Sequence, residues 1–104
     1  MPVTMLALYR RPDGGDDALD TFRRRYAEEH APLMARVPGL RSMRVAHVTR
    51  ALTESDLVIT CEMVFDDAAA LDAALAGDEM RAAGRNIREI APGLLTLLVL
   101  EDDE

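Results

Sequence analysis

The chain has 104 residues, a size that suits one domain and buries roughly 60–70% of the unfolded surface on folding. Nineteen acidic residues against twelve arginines, with no lysine, give a net charge of −7, which excludes the basic patch that nucleic acid or an anionic membrane surface requires. A single cysteine, Cys61, excludes an internal disulfide and a cysteine-based zinc site.

About half the residues are apolar, so Leu, Val, Ile, Met and Ala can fill a core. No apolar run approaches the ~18 residues of a membrane span, and no basic segment followed by an apolar stretch opens the chain. A cytoplasmic protein is the expectation.

Val3 to Tyr9 reads as a short strand rich in β-forming residues, with Leu6 and Leu8 on one face and Met5, Ala7 and Tyr9 on the other. Pro12-Asp13-Gly14-Gly15 ends it in a turn. Asp16 or Asp17 is the expected N-cap of a first helix running to about Glu29. Along that helix Leu19, Phe22, Tyr26 and His30 recur at spacings of three, four and four. They share one stripe, so the histidine turns toward the core. Pro32 lacks an N–H and clashes with the carbonyl of Glu28, so the helix must kink before it continues through Leu33, Met34 and Val37. Arg24 with Glu28, and Arg25 with Glu29, form i,i+4 pairs on the wet side.

Pro38-Gly39 stops this segment, and Leu40 to Thr49 is a second strand with Met43, Val45 and His47 on one face. Polar residues 50–56 lead to the strand Leu57 to Phe65. Its odd positions, Leu57, Ile59, Cys61, Met63 and Phe65, are all apolar, and its even positions include Val58, Thr60, Glu62 and Val64. Asp66-Asp67 caps an Ala-rich helix from Ala68 to about Ala76. Gly77 interrupts it, and a further helix from Asp78 to Ile90 carries Met80, Ala83, Ile87 and Ile90 on one stripe. After Pro92-Gly93, Leu94 to Leu100 is a strand apolar on both faces, expected to be buried on both. Residues 101–104 read as a frayed acidic tail.

The order β-α-β-β-α-β is that of a ferredoxin-like α+β domain: an antiparallel sheet with both helices on one face. Two helices cover one face only. The other would expose apolar surface that a soluble monomer rarely shows, so the same face of a second copy is the expected cover. An apolar wall that also carries Thr60, Glu62 and His47 is how small-molecule pockets are built.

His30 is the first candidate acid–base residue, because imidazole titrates near neutral pH and this one sits on an inward face beside a kink. Its pKa should fall below the ordinary value of ~6.5 through burial. Tyr9, Tyr26, His47 and Glu62 are candidate substrate-binding residues: the tyrosines as hydrogen-bond donors, Glu62 as a carboxyl among apolar neighbours or as an ion-pair partner of Arg44. Cys61, on the wholly apolar face, reads as a small buried hydrophobe. There is no Gly-rich phosphate loop and no paired-His metal motif, so no cofactor and no metal are expected.

The segments Leu6-Ala7-Leu8-Tyr9-Arg10-Arg11-Pro12-Asp13-Gly14, Phe22-Arg23, Glu29-His30-Ala31-Pro32-Leu33, Pro38-Gly39-Leu40-Arg41, Phe65-Asp66-Asp67 and Ala91-Pro92-Gly93 resemble the EthD family, named for a protein of ethyl tert-butyl ether degradation. The resemblance covers nearly the whole chain, and His30-Ala31-Pro32-Leu33 is its most specific element. It implies a homodimeric α+β barrel of two ferredoxin-like sheets. It implies no single reaction. Relatives in fungal polyketide pathways look like decarboxylases or dehydratases, and in related lactone isomerases and polyketide cyclases a histidine is the acid–base group.

Two functions follow as expectations. One is a cofactor-independent acid–base enzyme, an isomerase, cyclase, decarboxylase or dehydratase, acting on a small, mostly apolar oxygenated molecule. The other is a non-catalytic binding or accessory module.

Overall fold

A computed structural model describes residues 1–103. Four strands, β1 (Val3–Arg10), β2 (Leu40–His47), β3 (Leu57–Phe65) and β4 (Leu95–Glu101), form one sheet in the order β2-β3-β1-β4. Every neighbouring pair is antiparallel. This is the interleaving of two split β-α-β units, and it confirms the ferredoxin-like α+β fold read from the element order.

The first crossover is α1 (Gly15–Arg25), a π-helical turn (Tyr26–His30) and a short α2 (Ala31–Met34). The second is α3 (Ala68–Leu75) and α4 (Asp78–Ile90).

Local chemistry explains most boundaries. Asp67 caps α3 by accepting a hydrogen bond from the Ala70 amide at 2.8 Å, and Gly77 parts α3 from α4 as expected. Gly39 stands at φ +83°, a backbone that favours glycine, and so turns the chain from α2 into β2. At α1 the expectation differs. The cap is Gly14 at φ +109°, with no side-chain acceptor. Asp16 and Asp17 sit inside the first turn, where their charge still suits the helix dipole. The glycine pair lets the helix begin two or three residues early, and Asp16 instead pairs with Arg11 at 2.5 Å.

The alternation on β1 is strict. Val3, Met5, Ala7 and Tyr9 are buried, while the residues between them are half-buried. Register places Met5 opposite Met63, Ala7 opposite Cys61 and Tyr9 opposite Ile59, so the apolar face of β3 lies under the helices. Leu6 lies between Glu62 and Leu98, and Leu8 between Thr60 and Thr96, on the open face. Val58, expected on that face with Val64, is buried instead. Tyr9 pairs with Ile59 and Arg10 with Leu57, so Val58 is the extra residue of a bulge, and a bulge re-aims its side chain.

Strand β4 is the largest departure. It lies at the sheet edge and is exposed on both faces: Leu97 by 51% and Val99 by 58% on the helix side, with Leu98 and Leu100 on the open side. Its apolar pattern signals burial without saying against which chain. Glu101, expected in a frayed tail, pairs with Val3 and closes the strand. Glu104, from the same expectation, lies outside the described residues.

Candidate functional site

The π turn is built by Pro32. A proline N–H is missing and its ring crowds the preceding turn, so one extra residue is accommodated just upstream. The Ala31 amide closes on the Tyr26 carbonyl five residues back, and α-helical bonding resumes with Ala35 to Ala31. The expected kink is thus a local widening, a feature frequent at functional sites. It leaves Tyr26 and His30 both on the core stripe, where His30 is only 4% exposed.

Tyr9 of β1, Phe22 of α1 and Tyr26 pack edge to face with ring centroids 5.1 to 6.0 Å apart, and the His30 ring lies 5.1 Å from that of Tyr26. Such pairs contribute about 0.5–1.5 kcal/mol each beyond their burial. They hold the imidazole against the helix face of the sheet.

There the helices part from the sheet and leave a cavity of about 130 Å³. It lies between the sheet and α4 rather than on the open face, where the pocket was expected. Its wall is almost wholly apolar and includes four of the chain's six methionines, Met5, Met34, Met63 and Met80, with Ala83, Ile87, Leu95 and Leu97. Thioethers are unbranched and polarisable, so they adapt to an occupant's shape. The polar groups on this wall are those of Tyr9, Tyr26 and His30. An engineered apolar cavity of 150 Å³ takes benzene, so this one suits a molecule of about one ring.

Three of the five candidate residues are therefore brought together. His47 stands exposed near the end of edge strand β2, on the parity of Ile59, with no part in the cavity. Glu62 lies on the open face, half-exposed, 3.9 Å from Arg44. Glu62 keeps the open face expected of it, away from this cavity, while His47, expected beside it, takes the opposite parity at an uncovered strand end. Cys61 is buried, and burial pushes its thiol up, away from the thiolate a nucleophile needs.

A residue the sequence did not single out completes the site. Asn86, half-buried on α4, places its Oδ1 3.2 Å from His30 Nδ1 and donates from Nδ2 to Glu29 Oε1 at 3.0 Å. Glu29 is gripped by Arg25 through two contacts at 2.7 and 3.1 Å, and Arg25 also reaches Glu89 at 3.2 Å. Asn86 lies three residues after Ala83 on the buried stripe of α4. An uncharged amide at the margin of an apolar stripe was the available signal.

The charges follow. Arg25, with Asn86 helping, holds the Glu29 carboxyl below the usual carboxylate range. Burial holds His30 below the ordinary imidazole value, and the hydrogen bond with Asn86 partly opposes this. His30 is therefore neutral at pH 7. Burial pushes Tyr9 up to about 12, and pushes Tyr26 up as well, with Tyr9 and Cys61 adding to the effect. Both phenols stay protonated and can donate. Among the described residues His30 Nε2 has no hydrogen-bond partner, and the His30 ring lines the cavity.

Comparison with known proteins bears on this arrangement. The family model described as EthD domain matches residues 18–91. The crystal structure of an ethyl tert-butyl ether degradation (EthD) family protein from Bacillus halodurans superposes with a TM-score of 0.88 at 36% identity, covering 99% of this chain and all of that one. A dimeric protein of unknown function and ferredoxin-like fold from Bacteroides fragilis gives 0.73 at 18% identity, over 97% of this chain and 96% of the other. A variant of SnoaB, a cofactor-independent oxygenase from Streptomyces nogalater, gives 0.64 at 16% identity, over 99% and 94%. These last two likenesses are of fold alone. No curated protein matches the sequence.

Proposed function

The chain belongs to the EthD family, and we propose that it is a cofactor-independent acid–base enzyme acting on a small, mostly apolar, oxygenated molecule. The observation that carries this reading is a neutral, buried imidazole on the wall of an apolar cavity, with one ring nitrogen anchored and the other free. His30 Nε2 takes a proton from the bound molecule. The imidazolium that forms is supported through Nδ1–H by the Asn86 carbonyl, with the Glu29 carboxylate beyond it. Tyr9 and Tyr26 donate to an oxygen that gains charge as the proton leaves. Return of the proton to another atom is an isomerisation or cyclisation; its return with loss of water is a dehydration.

The test is a screen of neutral one-ring alcohols, phenols and enols for product formation, with wild type beside His30→Ala and His30→Gln, and melting temperatures recorded for each. Turnover that collapses in both variants at a temperature where each is still folded supports the role, whatever the melting temperature lost. Variants that melt several degrees lower yet handle a hit normally make His30 structural.

A second reading, a non-catalytic binding module, is favoured by one observation. Among the described residues His30 is the cavity's one acid–base group besides two tyrosines that burial keeps protonated, so no second group is at hand to complete a proton transfer. Saturable binding without turnover would establish it.

The exposed apolar strand β4 and the open face support a homodimer. Leu97 and Leu98 point to opposite faces of one edge strand, and Leu97 also lines the cavity. A second copy seated over β4 would cover both surfaces and close the cavity's outer wall. Sedimentation at micromolar concentration tests it, and a monomer would exclude it.

A further inference from the structure

We infer that Asn86 sets the hydrogen-bond polarity of the site, so that the cavity selects a neutral molecule of about one ring that donates a hydrogen bond to His30 Nε2. This rests on the acid–base site proposed above and names the class of molecule it takes.

Arg25 holds Glu29 through two of its own N–H groups, so Glu29 is a carboxylate and can only accept. Asn86 must therefore turn its NH₂ toward Glu29, which leaves its carbonyl oxygen toward His30. A carbonyl only accepts, so His30 Nδ1 carries the proton and donates. A neutral imidazole has one proton, hence Nε2 is an acceptor. Each link is a choice between two orientations, and the ion pair at the surface settles all of them.

The wall restricts the occupant further. No arginine lines the cavity among the described residues, so a carboxylate of the same size would be buried without a counter-ion and is excluded. Tyr9 and Tyr26 can each donate or accept. The direction-selective group is Nε2. A phenol or an alcohol satisfies it; an ether or a ketone of equal volume leaves it unpaired, at a penalty equivalent to about a tenfold loss of affinity.

The experiment uses ¹⁵N-labelled protein at pH 7, with phenol, anisole and benzoate as probes. His47 is the only other histidine and is exposed, so the two rings give separable signals. The expected results are a His30 ring protonated at Nδ1, phenol bound about tenfold more tightly than anisole, and no binding of benzoate. In Asn86→Leu the tautomer preference should be lost and the phenol-to-anisole ratio should fall toward one. Asn86→Ser serves as a second, smaller change should the first not fold.

A wild-type proton on Nε2 overturns the inference. So does anisole bound as tightly as phenol, or the failure of both to bind at millimolar concentration. An unchanged phenol-to-anisole ratio in a folded Asn86 variant also overturns it. None of these readouts requires turnover. A protein that selects phenol but transforms nothing keeps this inference and removes the catalytic reading.

Discussion

The two faces of the sheet are made from similar residues and meet different fates. Under the helices, Phe65, Ile59 and Cys61 are buried in the core, and a buried imidazole is wired to the surface through an amide and an ion pair. On the open face, Leu6, Leu8 and Leu98 share the surface with Thr60 and with Glu62, whose ion pair with Arg44 is long and wet. The contrast teaches that apolar content alone does not build a site. A polar group acquires a defined state only where packing removes water and each hydrogen bond has one choice of direction.

The largest separation between the faces should come from truncation. Phe65→Ala, on the covered face, should cost about 3–5 kcal/mol of stability, the range for an aromatic deleted from a packed core. Denaturant unfolding of this variant beside Leu6→Ala should show the second losing much less, and equal losses would erase the distinction between the faces.

Next in size is a charge on the open face. Leu98→Asp leaves the fold of one chain intact but would bury an unpaired carboxylate in a dimer, at a cost of several kcal/mol. Sedimentation should therefore show the dimer dissociation constant raised by about a hundredfold or more. An unchanged constant would mean that this face is not the contact.

His30→Gln should cost about 1–2 kcal/mol at pH 7 through its lost packing and hydrogen bond. It should also change the pH profile. Burial depresses the folded-state pKa of His30 below the ordinary 6.5, so the unfolded chain takes up the proton first as pH falls. Wild type keeps the full contribution of this residue above 6.5 and loses it as pH drops through and below that value. Melting curves across pH should show the gap between wild type and His30→Gln narrowing in acid. A constant gap would mean that the ring is not desolvated.

The smallest effect should be that of Arg44→Ala. Its partner Glu62 is 3.9 Å away and both side chains are well exposed, so the change should stay within about 0.5 kcal/mol. A larger loss in a chemical melt would show that the open face is more ordered than its exposure implies.

Much of the architecture was legible before any coordinates, because it depends on near neighbours in sequence. The bounds of β3 and α4, the Asp67 cap, the stop at Gly39 and the burial of His30 each follow from spacing or from one residue's backbone chemistry. So does the depressed pKa of the histidine, since a ring on the stripe of Phe22 and Tyr26 has to lose water. What sequence left open was everything set by contact between distant elements. Asn86 meets His30 across 56 residues, and its place at the margin of a stripe signals a half-buried amide without saying which distant side chain it meets. The side of the sheet on which a cavity opens depends on how far α4 stands off β1, which is a matter of packing rather than periodicity. Glu62 stands on the open face its alternation indicates and lies outside this cavity because the cavity opens on the other side, whereas His47 is set by strand order at the uncovered end of an edge strand. The near-continuous apolar run of β4 announced a buried strand, but only the sheet order made it an edge. Hydrophobicity fixes that a surface must be covered, and topology decides whether its own chain can reach to cover it.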